Sequence, residues 1–383
     1  MSGVLLTGAT GLVGRATLVR LLAHDPRTVV HCLVRADDDE HLAARRDQLI
    51  ASAGVAPADA GRVVAVPGDV EQPMLGIPEP HALAPRIDVV LHAAASTRFD
   101  LTIEAARAVN VGAASHVVDF ASLADDAGGL RCLHHVSTAF VAGDADGVVA
   151  DPPLHPLGPF RNTYEQSKWE AEQVIREAGA SLPTTISRPS IVVGDSTTGA
   201  TPHFRVLYEP MKWVYFHSRS DGASYSDRLS NVLPCRPEIR LDVVPVDFVA
   251  DALVALTSSE AARGGTFHVS AGPDRSLTIA DSVDLMLTAG NRDLGASGRP
   301  PVERPVLVSP EMLEGSEELR QLFAMGEELM SAYMPYALRE TLFDPAGLHE
   351  LLGGALGTCP NPRDYYPVLV EYANTHNYGR APR

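Results

Sequence analysis

Val4 to Leu6 run without a break into T-G-A-T-G-L-V-G, so Gly8, Gly11 and Gly14 stand between a short apolar strand and the start of a helix. Glycines at such a junction permit a tight turn and let the backbone approach a ligand closely. The N–H groups of the following helix point at the same place, which favours an anion such as a pyrophosphate. The expected product is the first strand-turn-helix unit of a dinucleotide-binding fold. A glycine turn made only for packing is the competing reading, and the strand before it and the helix after it weigh against that. The G-x-x-G-x-x-G spacing departs from the usual G-x-G-x-x-G fingerprint.

The rest of the first half repeats the same grammar. Short apolar runs fall near Gly3 to Leu6, Val29 to Val34, Arg62 to Val66, Val89 to His92, Arg131 to Val136 and Thr185 to Ile191, with helical stretches at 12–24, 39–53, 101–126 and 163–179. Unalternated apolar strands separated by helices predict a buried parallel sheet. The predicted class is α/β, a Rossmann-type doubly wound parallel sheet with a smaller C-terminal substrate-binding region. Residues 1–195 form the core in this reading, and 196–245 form a substrate lid or loop region that mixes Gly, Ser and Pro with Phe204, Tyr208, Trp213, Tyr215, Phe216 and Tyr225. Residues 246–290 return to the core, with Asp247 placed to cap a helix whose apolar face carries Phe248, Ala252 and Leu256, and with a strand over Thr266 to Val269. Residues 291–383 are expected to be a mainly helical substrate region, opening on a Gly-, Pro- and Arg-rich linker over 291–305 and including a helix around 309–334.

Composition narrows the possible partners. The formal charge of -17 opposes non-specific binding to nucleic acid or to an anionic membrane, and any phosphorylated ligand then needs local arginines. Cys32, Cys132, Cys235 and Cys359 are far apart, without a C-x-x-C pair or metal-like spacing, so no metal is expected and a reduced compartment is. Cys32 and Cys132 fall in apolar runs and read as buried, inert thiols. The start M-S-G-V-L-L-T-G opens straight into a strand, with no basic n-region before it, and no apolar run reaches membrane-spanning length. A cytoplasmic location is the expectation.

Y-E-Q-S-K places Tyr164 and Lys168 one helical turn apart, on one face. A phenol of pKa near ~10 becomes a usable proton donor when an ammonium beside it favours the phenolate. Lys168 and Lys212 are the only lysines in the chain, so a lysine at this position has less chance of being accidental. H-H-V-S-T-A-F supplies hydroxyls at the end of a strand, with Thr138 preferred over Ser137 as the partner of a substrate carbonyl. His134 and His135 are expected to be structural, as is Asn110. Arg35, the first residue after the second apolar run, favours NADPH over NADH by reading a 2′-phosphate, with Arg15 as the other jaw of a clamp. The competing arrangement has Asp37 on the ribose diol of NADH.

T-G-A-T-G-L-V-G, C-L-V-R, H-A-A-A-S-T-R-F-D, V-S-T-A-F-V, N-T-Y-E-Q-S-K-W-E-A-E and R-P-S-I-V-V-G-D-S-T-T-G together resemble the extended short-chain dehydrogenases/reductases. More specifically, they resemble the acyl-thioester reductase branch, which includes fatty acyl-CoA reductases of the male-sterility type and terminal thioester reductase domains. The resemblance covers roughly residues 3 to 200, and V-P-V-D-F-V-A-D-A extends it to about 270. It implies a cofactor cradle of Gly8, Thr10, Gly11, Leu12, Val13 and Gly14, with Arg35, Asp69, Val70, Ala93 and Ala94 along the adenosine half. Tyr164, Lys168, Pro189, Ser190 and Ile191 would meet the nicotinamide half. It further implies reduction of an acyl-CoA or a carrier-protein-bound acyl group to an aldehyde, or on to the alcohol, with Thr138, Tyr164 and Lys168 catalytic. An acyl carrier protein would have to meet a basic patch around arginines such as Arg205, Arg219 and Arg228.

Two rival enzyme readings share the scaffold: a nucleotide-sugar epimerase or dehydratase, and a hydroxysteroid-type dehydrogenase. A non-catalytic dinucleotide sensor is a third, against which the tyrosine and lysine speak.

Overall fold

The computed structural model describes residues 3–209, 211–212, 232–296, 298, 301–317, 319–321, 323–324 and 331–380. The first half alternates as its apolar runs require: β1 (Gly3–Thr7), α1 (Leu12–His24), β2 (Val29–Val34), α2 (Asp39–Ala53), β3 (Val63–Pro67), the short α3 (Pro80–Leu83), β4 (Val89–His92), α4 (Ile103–Gly128) and β5 (Cys132–Val136). It continues through β6 (Gly147–Val149), α5 (Thr163–Ala178), β7 (Thr184–Pro189) and β8 (Ile191–Val193). Later strands are β9 (Val232–Pro234), β10 (Arg240–Leu241), β11 (Val243–Pro245), β12 (Thr266–Val269), β13 (Leu277–Thr278), β14 (Val306–Val308) and β15 (Thr341–Phe343).

Seven strands form one parallel sheet in the order β12-β7-β5-β4-β1-β2-β3. Strand order reverses between β1 and β4, and the crevice beyond their carboxyl ends is where a ligand sits in such sheets. Successive side chains leave β1 on opposite faces, so Val4 and Leu6 join the layer of α1 and the helix Val246–Ser258, whereas Leu5 packs with Phe120 of α4 and Ile175 of α5. Both faces are covered, which is why β1, β2 and β4 are mostly apolar. Cys32 and Cys132 are buried free thiols, each pushed up by burial, Cys32 to about 12.

Four expectations need correction. The strand expected over Thr185 to Ile191 breaks at Ser190: Ser190 N–H donates to Val269 O, Ile191 N–H turns to Asp242 O, and β8 pairs with β11 outside the main sheet. Asp247 does not cap its helix, whose N-cap is Pro245. Its carboxylate accepts instead from the backbone N–H and hydroxyl of Ser196, at 2.9 and 2.6 Å, and so anchors the loop after β8. The supposed linker 291–305 starts inside a helix, Ile279–Ala296, because Leu294 is buried and Asn291 exchanges hydrogen bonds with the backbone of Val302. Residues 309–334 do not make one helix: Pro310–Leu313 is a 3-10 turn just after β14, and a separate short helix spans Met334–Leu338. Trp213, Tyr215, Phe216, Arg219, Tyr225 and Arg228 lie outside the described residues.

The C-terminal part adds strands as well as helices. A second sheet, β13-β10-β15-β6, joins it to the core through β15 and β6, and the helix Pro362–Thr375 packs its buried Tyr365, Tyr366 and Leu369 against Val193 and Val243. Among the described residues no helix is long and apolar enough to cross a membrane.

Candidate active site

The glycine turn is built so that side chains cannot enter it. Gly8 has φ 73°, and a Cβ there would meet Ala94 N at 2.6 Å; one on Gly14 would meet Gly8 O at 2.1 Å. Gly11 N–H closes the turn on Gly8 O at 2.9 Å, and Gly11, as N-cap of α1, offers no side-chain acceptor to the first helical turn. The helix therefore starts with free N–H groups at the crevice, which suits a diphosphate. Gly8, Gly11, Leu12, Val13, Gly14 and Ala93 line a cavity of about 1300 Å³. Thr10 is exposed on the turn, and Ala94 N–H is taken by Thr7 Oγ1 at 3.2 Å.

The same cavity is lined by Ser137, Thr138, Tyr164, Lys168, Pro189, Ser190 and Ile191. Sequence segments far apart thus meet in one space, because β5 and β7 end, and α5 begins, at the carboxyl edge of the sheet. Lys168 is buried, and its ammonium donates to Val136 O at 2.8 Å and stands 3.3 Å from His135 Nε2. Burial brings it down to about 8, against the opposing pull of Glu172. Tyr164 keeps part of its surface open, yet desolvation pushes its phenol up to about 12, with a hydrogen bond to Thr138 working the other way and Glu165 adding to the rise. The lowering expected from Lys168 is therefore not what dominates: the lysine is anchored on the strand end, and desolvation of the phenolate wins.

Thr138 also approaches Pro189 O and Phe140 N, each at 3.4 Å, so its hydroxyl sits between β5 and the end of β7. His134 is held between Thr257 Oγ1 and Ser187 Oγ, at 2.7 and 2.6 Å, and burial lowers it to about 3. It is structural, as expected. Asn110 ties the backbone N–H and carbonyl of Ser96 to Ser167 Oγ, also a structural role. Arg188, fully buried, forms a two-pronged pair with buried Glu172 at 2.9 and 2.7 Å, which fixes the strand that delivers Pro189 and Ser190.

Arg35 and the residues after β3 stand outside the cavity lining. Arg35 pairs with Asp69 at 2.9 Å and Glu71 at 2.8 Å and remains largely exposed. The Val70 carbonyl accepts from His116 Nδ1 at 3.0 Å. Asp37 is exposed beside His41. Arg15 is half-buried, its Nε has no hydrogen-bond partner among the described residues, and burial lowers its pKa. A strained-glycine cradle, an uncapped helix start and an unpartnered buried guanidinium nitrogen together fit a dinucleotide.

A family profile for an NAD-binding domain described as male sterility protein matches residues 6–253, nearly two-thirds of the chain. The chain belongs to the male sterility protein family. The chain is similar to the nonribosomal peptide synthetase asaC of Aspergillus flavus, 30% identical over 305 residues, which cover 75% of this chain and 28% of that protein. It is also similar to the fatty acyl-CoA reductase wat of Drosophila melanogaster, 27% identical over 286 residues, 66% of this chain and 53% of the fly protein. The chain thus spans about a quarter to a half of these relatives. Among solved structures, the terminal R domain from the myxalamid PKS-NRPS biosynthetic pathway superposes with TM-score 0.76 at 26% identity, over 100% of this chain and 93% of that one.

Several residues of the cavity wall carry no local signal of their place. Beyond Tyr164 the cavity runs along Phe99, Phe140, Tyr333 and Tyr336, then along Leu233, Leu241, Ile279, Val283 and Met286. Phe99 and Phe140 belong to H-A-A-A-S-T-R-F-D and V-S-T-A-F-V, whereas the others come from the second half of the chain, where the spacing carries no recognisable pattern. Arg205 and His203 also line the cavity.

Proposed function

We propose that this chain reduces an acyl thioester, carried on coenzyme A or on an acyl carrier protein, to an aldehyde with NADPH. One observation carries the reading: a single cavity joins the glycine turn, the Thr138-Tyr164-Lys168 group and an apolar wall suited to an acyl chain. NADPH, when bound, supplies the hydride. Gly8 to Gly14 would hold its pyrophosphate, and Arg35 with Arg15 would meet the 2′-phosphate, for which Arg35 would exchange part of its pairing with Asp69 and Glu71. The freedom of Arg35 to do so is supported by its exposure. Pro189, Ser190 and Ile191 line the far end, where a carboxamide would bind.

Thr138 and Tyr164 would donate hydrogen bonds to the thioester carbonyl oxygen, stabilising the negative charge that develops there. As hydride reaches the carbonyl carbon, Tyr164 gives its proton to that oxygen, producing a hemithioacetal. A phenol held near 12 is protonated at neutral pH, as this step requires. Lys168, one turn along α5, would hold the nicotinamide ribose and offset the phenolate left behind. Collapse of the hemithioacetal breaks the C–S bond, passes the hydroxyl proton to the departing sulfur and releases aldehyde and thiol, and Tyr164 regains its proton from the medium. A second round on the aldehyde would give the alcohol.

In this reading residues 1–195 bind the cofactor, while 196–245 and 291–383 shape the acyl site around the returning segment 246–290. Incubation with NADPH, a panel of acyl-CoA and acyl carrier protein thioesters and a thiol-trapping dye tests the proposal. NADPH-dependent thiol release is expected, and its absence across chain lengths and both carriers would overturn it.

A further inference from the structure

The hydroxyl of Tyr336 bridges two residues of the helix start that presents Tyr164. It accepts from Asn162 Nδ2 at 2.8 Å and donates to Glu165 Oε1 at 2.5 Å. Asn162 is the N-cap of α5 and accepts from Glu165 N–H at 3.0 Å, so Tyr164 lies between the two residues that Tyr336 grips. Glu165 is fully buried, and its other oxygen accepts from Arg161 N–H at 2.9 Å. A buried carboxylate needs such partners, and losing one leaves a desolvated acceptor unsatisfied.

The ring of Tyr336 lines the cavity. It meets Phe140 edge-on at 5.1 Å and Phe99 at 6.1 Å, and Phe99 in turn lies 5.8 Å from the Tyr164 ring. The Arg161 guanidinium sits over the Tyr336 ring at 5.1 Å and donates to Thr341 Oγ1 at 2.6 Å, which ties the same segment to β15. One side chain therefore touches both the acyl wall and the hydrogen bonds that end the catalytic helix.

We propose that Tyr336 is a positioning residue that couples occupation of the acyl wall to the placement of Tyr164. An acyl chain long enough to pack on the Tyr336 ring steadies the Asn162–Glu165 turn, and with it the phenol at the thioester carbonyl. This rests on the thioester reading above. Burial raises the Glu165 carboxyl, and desolvation with the neighbouring Glu165 charge raises the Tyr336 phenol, so the phenol keeps its proton and stays the donor of the pair.

The tie itself is read without substrate. Hydrogen exchange of the full chain is compared between wild type and Tyr336→Phe, which keeps the ring and removes the hydroxyl. The peptide covering 162–168 is expected to exchange about tenfold faster in the variant; unchanged exchange would overturn the tie, whatever the enzyme reduces. The coupling is then read in steady state with NADPH and acetyl-CoA or decanoyl-CoA. In wild type kcat should rise with chain length. In Tyr336→Phe kcat for decanoyl-CoA should fall about tenfold, to the acetyl level, with KM and NADPH affinity changed by less than about twofold. Glu165→Gln should reproduce the loss, and the double variant should be no worse than either single one. Retained chain-length dependence in Tyr336→Phe, or losses that multiply in the double variant, would contradict the coupling. Absence of thiol release by wild type with every thioester would instead strike the functional reading, leaving the exchange result to judge the tie.

Discussion

The Lys168 ammonium donates to the backbone carbonyl of Val136 at 2.8 Å, locking a helix residue to the last residue of β5. That link fixes the distance between the strand end carrying Thr138 and the helix turn carrying Tyr164. It also buries the positive charge proposed to meet the nicotinamide ribose, and this has a pH signature. Burial holds the ammonium near 8, below its usual 10.5, so the charge is complete below about pH 8 and is lost as pH rises through that value. NADPH dissociation constants, followed by fluorescence between pH 6.5 and 9.5, should weaken through about pH 8 in wild type and stay flat in Lys168→Met. A flat wild-type profile would remove Lys168 from cofactor binding. For folding the sign is opposite: the cost of burying the charge is present below about pH 8 and is relieved toward 10.5, so this group adds stability with rising pH across that window.

Tyr164→Phe should lower kcat about a hundredfold or more while leaving NADPH affinity within about twofold, since the phenol supplies a proton rather than holding the dinucleotide. Thr138→Ala should cost less, about tenfold, because one of two donors to the developing oxyanion remains. Stopped-flow hydride transfer with an acyl-CoA reads both. Undiminished transfer in Tyr164→Phe would assign the proton to another group.

The first half of this architecture was readable because its signals are local. A glycine turn between strand and helix, and a tyrosine one turn before a lysine, each carry their geometry within a few residues. Asp247 misled for the same reason: an acid before an apolar helix is a good cap by local rules, but Ser196, distant in sequence, captures its carboxylate. Tyr336 and Glu165 lie 171 positions apart, and no periodicity in either segment points to the other. The far part of the cavity wall was illegible, since Leu233, Leu241, Ile279, Val283 and Met286 are ordinary apolar side chains brought together by the topology of the second half.

Arg35→Ala should weaken NADPH binding about tenfold or more and leave NADH nearly unchanged, the difference measuring a charged hydrogen bond to the 2′-phosphate. Titration calorimetry with both coenzymes checks this. Equal weakening would mean that Arg35 serves only Asp69 and Glu71.

The pair of Arg188 and Glu172 predicts a stability effect separate from catalysis. Arg188→Met leaves a fully buried carboxylate without its two-pronged partner, at a cost of about 3–5 kcal/mol in denaturant unfolding. Glu172 now ionises below its usual range because Arg188 offsets the burial penalty, so the variant should also lose the part of its stability that this ion pair confers near neutral pH. A shift below about 1 kcal/mol would show that neighbouring Arg176 takes over the carboxylate.

In the proposed reaction one cavity passes a hydride from a cofactor on the glycine turn to a thioester carbonyl. A single turnover with NADPH deuterated at the transferring position of its nicotinamide, followed by mass spectrometry of the product and dye titration of thiol, follows both halves of that transfer. The expected product is an aldehyde carrying the deuterium on its carbonyl carbon, with one free thiol for each NADPH oxidised. Unlabelled product, or NADPH oxidised without thiol release, would exclude thioester reduction by this cavity.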